Sequence, residues 1–414
     1  MNITRRLLAT AAACLIGLQA HAAELPTSTA EDVGMARLDR IDAFFQAEIA
    51  AKRLPGAVVM IAREGRVVHH AAYGLRDPAT GAPMGKDSIF RIYSMTKPVT
   101  AVAVLMLMEE GKLRLSDPLS RFLPTFAKPR VWAEGGDVPA AREITILDLL
   151  RHTSGMTYGV FGNTPVDQAM RAAGLNDSAM KHRLTDMQVA EAMAKLPLLY
   201  QPGTQWQYGR STDILLAVVE AVSGMRGDAF FQQRIFTPLG MADTHFNLPP
   251  EKLNRMAEAG PDPATGQTSA LTDVRQPRLF LGGGEGLLST AADYMRFAQM
   301  LAQGGSSLDG VRLLSRKSVS LMSADHMGAE IGRGPFYLPG PGHGFGLTVS
   351  VRTSEGQVST PGSVGEFAWG GYAGTQFWID PQERLVPIMM IQAPQQSRQV
   401  RGAFRALVYQ ALED

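Results

Sequence analysis

The stretch "RIYSMTKPVTAVAVLMLMEEGKL", Arg91 to Leu113, decides how the chain is read. Ser94 and Lys97 stand three residues apart, where an apolar helical pattern begins. Residues at that spacing share one face of a helix. The turns that follow are Val, Ala, Leu and Met, apolar nearly all round, and predict a buried helix. Pro98 falls in its first turn, where a missing N–H costs little, and Gly111 closes it. A charged amine at the head of a buried helix is costly unless it has a partner or a task. A serine hydroxyl is a weak nucleophile that needs an adjacent base. Lys97 stands where such a base belongs, and the helix N-terminus offers free N–H groups to an oxyanion. Alone, Ser-x-x-Lys is a common string and describes a capping serine beside a surface lysine equally well. The predicted burial of the helix favours chemistry.

Upstream, "GAVVMIAREGRVVHHAAYG" holds two β-branched runs around Glu64-Gly65, a two-residue hairpin signal. Before it, Met35, Leu38, Ile41, Phe45 and Ile49 recur at helical spacing. Downstream, "TILDLLRH", "DMQVAEAMAKL" and "STDILLAVVEAVSG" are helical, joined by Gly- and Pro-bearing loops. Another helix, "TAADYMRFAQMLAQGG", follows a glycine run. Strand signals return in "FGLTVSVR", "GTQFWID" and "LVPIMMIQA", where Pro387 predicts an edge or bulged strand. A last helix carries Val400, Phe404, Leu407, Val408 and Leu412 on one face. The expected fold is α/β (α+β): a mostly antiparallel central sheet flanked by helices, with a helical insertion. Residues 23–115 and 282–414 would form the split sheet domain, and residues 116–281 the helical one.

The 414 residues carry a formal net charge of +1, with no basic run, so nucleic acid is not an expected partner. Residues 1–22, "MNITRRLLATAAACLIGLQAHA", carry Arg5 and Arg6, an apolar run and a small-x-small ending. They form an export signal cut after Ala22, too short for a good membrane span. "TRRLLA" weakly suggests the twin-arginine route, with the ordinary secretory route open. The expected location is the periplasm or outside the cell. Cys14, the single cysteine, lies inside this segment, so the mature chain has neither a disulfide nor a thiol nucleophile. The histidines show no His-Glu-x-x-His motif, and His69 and His70 point to opposite faces of a strand, so no metal or other cofactor is expected. No Gly-x-Ser-x-Gly elbow occurs.

"SMTK" opening such a helix resembles the first motif of the serine β-lactamases and penicillin-binding proteins. "LPGAVVMIAREG", "DLLRHTSGM", "QPGTQWQYG", "LGGGEGLLSTAADYMRF" and "HGFGLTV" are similar, in order and spacing, to the class C branch that includes the family VIII carboxylesterases. The resemblance runs from about Glu31 to the C-terminus. It implies Ser94 as nucleophile, activated by Lys97 together with Tyr208 of "QYGRSTD", the tyrosine of the second motif, with either of the two as the formal base. Arg210 stands where the β-lactamases usually hold the Asn that binds the β-lactam amide. The third motif is usually Lys-Thr-Gly; here "FAWGGYAG" places Trp369, Gly370 and Gly371 at the substrate, as in the family VIII esterases. The oxyanion hole carried over is the backbone N–H of Ser94 with that of Tyr372. The glycines of "LGGGEGLLST" are read as tight packing near the site, Glu285 among them as a solvated carboxylate, and His152 as part of a structural turn. The expected activity is hydrolysis of short-chain carboxylic esters through an acyl-enzyme. The alternatives are a β-lactamase or D-amino-acid peptidase, small-molecule β-lactam substrate included, and a non-catalytic penicillin-recognising protein.

Overall fold

The computed structural model describes residues 24–413, and the proposed export signal lies outside them. The strands of the main sheet are β1 (Gly56–Arg63), β2 (Arg66–Asp77), β3 (Ala82–Pro83), β4 (His343–Phe345), β5 (Ser350–Arg352), β6 (Phe367–Gly370), β7 (Gln376–Ile379) and β8 (Leu385–Ile391). They form one eight-stranded sheet in the order β3-β2-β1-β8-β7-β6-β5-β4, so both ends of the chain meet at the β1–β8 pair. That pair is antiparallel from Ala57↔Ile391 to Arg63↔Leu385, and the other pairs of the sheet are antiparallel too. Glu64 and Gly65 turn β1 into β2 with φ of 54° and 78°, the left-handed pair that a two-residue hairpin needs.

The helices that build the site are α1 (Asp39–Ala50), α2 (Thr96–Glu109), α3 (Ile146–Leu150), α4 (Asp186–Met193), α5 (Ser211–Ser223), α6 (Ala291–Ala302) and α7 (Ser397–Tyr409). Strand β1 shows how the layers are set. Ala57, Val59 and Ile61 pack with Ile41, Phe45, Val400 and Phe404 of α1 and α7. Val58, Met60 and Ala62 face the other way, into the larger core that holds α2, α5 and α6. The period of two is the pleat itself, and burial on both faces explains why the run is apolar throughout. Helix α2 is buried from Thr96 to Leu107, as its uniform apolarity requires.

Two strand expectations are corrected. Pro387 lies in β8, fourth from an edge, not at one. Its missing N–H falls where the β7–β8 ladder lapses, between Phe377↔Ile388 and the bridge at Asp380↔Leu385. "FGLTVSVR" is not one strand but parts of β4 and β5, folded back on each other. Thr348 takes φ 69° at the turn, and Gly346 N–H donates to Val349 O there.

Candidate active site

Ser94 sits half-buried in a 3₁₀ turn, Tyr93–Met95, that runs straight into α2. Tyr93 is held at φ 43°, an uncommon conformation for a residue with a side chain, and its hydroxyl accepts the Thr272 N–H at 3.0 Å. Such local strain is maintained only by well-packed surroundings. One turn on, Lys97 is fully buried. Its Nζ donates to Gly284 O at 2.7 Å, Tyr158 Oη at 3.0 Å and Ser94 Oγ at 3.2 Å. The Tyr208 hydroxyl donates to Ser94 Oγ at 2.7 Å, and Lys97 Nζ lies 4.7 Å from the centre of its ring. Lys97 and Tyr208 therefore converge on the Ser94 oxygen, from two separate parts of the sequence.

Tyr158 is the residue that the sequence reading missed. It is buried, and it faces Lys97 more directly than Tyr208 does. Burial pushes its phenol well above the usual range, and Asp213 adds to the push, so it remains protonated. A neutral phenol here orients the amine without taking its proton. The position lies two residues beyond "DLLRHTSGM", in a loop whose local pattern marks only a turn. Tyr158→Phe should lower kcat about 10- to 100-fold with KM little changed, the worth of one hydrogen bond to a charged group. Steady-state rates beside Tyr208→Phe would check this, and an unaffected kcat would remove Tyr158 from the catalytic group.

The glycine run holds Lys97 from the other side. A Cβ on Gly283 would lie 2.6 Å from Leu216 Cβ and 2.7 Å from Thr212 O, so α5 requires glycine there. Thr100 Oγ1 donates to Gly283 O at 2.7 Å, and Asp213 accepts the Gly284 N–H at 2.7 Å. Asp186, at the start of α4, accepts the N–H groups of Leu281 and Gly282 at 2.9 and 3.0 Å. Burial nonetheless raises its carboxyl to about 7. Glu285 is not the solvated carboxylate expected. It lines the cavity and pairs with Lys181 at 2.9 Å. Burial would raise its carboxyl, but Lys181 and Arg210 outweigh that and hold it low, at about 2.

Arg210 takes a place behind the site. Its side chain is buried and pairs with Asp213 at 3.1 Å, donates to Leu175 O at 2.8 Å and stacks on the Tyr158 ring. It does not line the cavity, so it supports the back of the site rather than replacing a substrate contact. A buried guanidinium needs its carboxylate close by, and Asp213 one turn along α5 supplies it. His152 is part of the structural turn, with φ 58°. Burial, with Lys97 nearby, keeps its imidazole well below the usual range, and it packs 5.0 Å from the Tyr208 ring.

Trp369 of β6 is buried against Tyr208 and Phe345, with ring centroids 5.7 and 5.4 Å away, and lines the cavity with Gly370 and Gly371. Its indole N–H has no partner among the described residues. A Cβ on Gly371 would come within 2.3 Å of Ile92 O, so only glycine lets this turn approach the segment before Ser94. Gly374 N–H donates to Gly371 O at 3.1 Å, closing a turn that leaves the Tyr372 N–H without a partner among the described residues. The Tyr372 ring, largely exposed, stands edge-on to Tyr93 at 5.5 Å. The cavity occupies about 840 Å³, and its rim includes Val160, Leu338 and Tyr372, all well exposed.

A serine held between a buried lysine and a tyrosine, at the head of a buried helix beside an antiparallel sheet, defines a serine hydrolase of the acyl-enzyme kind. The model of the Beta-lactamase family matches residues 41–410, and the chain belongs to that family. It is 36% identical over 356 residues to an uncharacterized protein of Mycobacterium tuberculosis, covering 82% of this chain and 86% of that one. It is 32% identical over 362 residues to Esterase EstB of Burkholderia gladioli, with the same coverage, 82% and 86%. Among solved structures it is similar to EstCE1, described as a hydrolase with promiscuous acyltransferase activity. That match has a TM-score of 0.78 and 27% identity, and covers 90% of this chain and 98% of that one. The fold class and the branch inferred from the sequence motifs agree with these findings.

Proposed function

We propose that this protein hydrolyses short-chain carboxylic esters through an acyl-enzyme on Ser94. The observation that carries the reading is the double hydrogen bond on Ser94 Oγ, from Lys97 and from Tyr208, at the floor of a cavity walled by Trp369. In the proposed cycle, Ser94 Oγ attacks the ester carbonyl carbon, and its proton passes to the Lys97/Tyr208 pair. The backbone N–H groups of Ser94 and Tyr372 hold the tetrahedral oxyanion. The intermediate collapses, the C–O bond to the alcohol breaks, and the alkoxide leaves with the proton from the pair. Water then attacks the acyl carbon and gives its proton to the same pair. Ser94 is released with a proton as the acid departs.

Trp369 offers apolar surface and one indole donor where the β-lactamases place a lysine for a carboxylate. The esterase relative EstB supports an ester substrate. The cavity is large enough for an alcohol portion well beyond a short acyl group. The proposed place of action is the periplasm or the exterior, on the strength of the leader-like residues 1–22. The test is a pair of initial rates on purified mature protein, with p-nitrophenyl butyrate and a chromogenic cephalosporin. Fast ester and negligible cephalosporin turnover is the expected result. The reverse preference would overturn the ester reading and make the protein a β-lactamase.

A further inference from the structure

Arg401 of α7 lines the same cavity, and its Nη2 donates to Gly371 O and, at 2.9 Å, to Thr375 O. These two carbonyls stand at the two ends of the turn that carries Tyr372, joined by the Gly371 N–H to Thr375 O bond at 2.8 Å. Gly371 C=O and Tyr372 N–H belong to one peptide group. A cation drawing on that oxygen polarises the N–H at its other end, the donor assigned to the oxyanion. Among the described residues no carboxylate pairs with Arg401, and its Nε is buried without a partner. Burial lowers the guanidinium to about 10, so it still carries its charge at neutral pH.

A guanidinium half-buried in the cavity wall, with no carboxylate paired to it among the described residues, is held there at a cost in the resting protein. Two carbonyl contacts could be made more cheaply by a neutral donor. The expense is recovered only when negative charge forms nearby, and the turn that Arg401 grips is where the proposed cycle forms it. We infer that Arg401 is a positioning residue for the oxyanion hole, acting through the Gly371–Tyr372 peptide to stabilise the tetrahedral intermediate. The inference rests on the acyl-enzyme reading above.

The test compares Arg401→Gln, which keeps a donor and drops the charge, with Arg401→Lys, which keeps the charge but loses the fork. Active sites are titrated with a fluorophosphonate, so that kcat refers to competent enzyme. Inhibition by a trifluoromethyl ketone, which forms a tetrahedral adduct, is measured in parallel. For Arg401→Gln, kcat should fall about 10- to 100-fold with KM within about twofold, since the donor is weakened and not removed. Ketone affinity should fall in step, and Arg401→Lys should lie between. A merely structural role would lower the titre of active sites and leave kcat per site unchanged, which overturns the inference. So does a loss confined to KM, which would make Arg401 a substrate contact. If Arg401→Gln does not fold, Arg401→Lys decides by the same criterion, whether kcat and ketone affinity move together. Ser94→Ala is run alongside. If it stays active, the acyl-enzyme reading fails and takes this role with it; if it is inactive while the Arg401 variants keep full kcat, only the Arg401 role fails.

Discussion

Ser94→Ala should reduce ester turnover by about ten-thousandfold or more, the scale on which removal of a nucleophile acts when the rest of its machinery depends on it. Lys97 and Tyr208 both spend a hydrogen bond on Ser94 Oγ, and neither has a reacting proton to move once that oxygen is gone. Stability should change little. Ser94 is half-buried, and each lost bond is worth about 1 kcal/mol net. The checks are initial rates with p-nitrophenyl butyrate, intact mass after a fluorophosphonate, and a thermal melt. The wild type should gain one label and the variant none, at an unchanged melting temperature. Esterase activity within tenfold of wild type would remove Ser94 as nucleophile. An unlabelled wild type would favour the non-catalytic, penicillin-recognising alternative.

How much of this was legible in the chain depends on whether a residue's meaning is local. The β1–β2 hairpin was, because Glu64-Gly65 must take the left-handed conformations found there. Helix α2 was, because a segment apolar on all sides has nowhere to lie but the interior. Ser94 and Lys97 carry their spacing with them, and Tyr208 and Trp369 carry motif positions. Tyr158 carries neither. Its role arises only because the loop after α3 folds back over Lys97, a contact between residues 61 positions apart. Glu285 was misjudged for a related reason. It was weighed as a single charge, but it is one member of a largely buried charged group with Lys181, Arg210 and Asp213. Burial of charge is decided by partners, and partners distant in sequence leave no local pattern. Pro387 shows the converse. The rule that bars proline from central strands concerns a lost ladder bond, and the fold places the residue where that ladder already lapses.

The second large effect belongs to Lys97, and it separates a working lysine from a structural one. Lys97→Met should lower kcat about a thousandfold, within the range attributed to general acid–base groups, with KM little changed. The physical case is that, among the described residues, no carboxylate pairs with Lys97. Its three Nζ contacts, to Gly284 O, Tyr158 Oη and Ser94 Oγ, are all to uncharged oxygens, while its side chain is wholly buried. Holding an amine there costs stability that these contacts only partly offset. Methionine matches the length of the stem and places a soft, polarizable end against the Tyr158 and Tyr208 rings. It leaves the Gly284 carbonyl without this donor, a loss of about 1–3 kcal/mol, and removes a desolvation cost of at least that size. Activity should therefore collapse while the melting temperature stays level or rises, the trade expected when a strained site exists for function. Lys97→Arg should rescue neither kcat nor labelling, because a guanidinium keeps the charge but cannot act as a base at neutral pH. Steady-state rates, fluorophosphonate labelling and a melt on the same three proteins test all of it. If Lys97→Met melts many degrees lower and loses activity in proportion, Lys97 is a strut for the glycine run, and the base must be sought in Tyr208 alone.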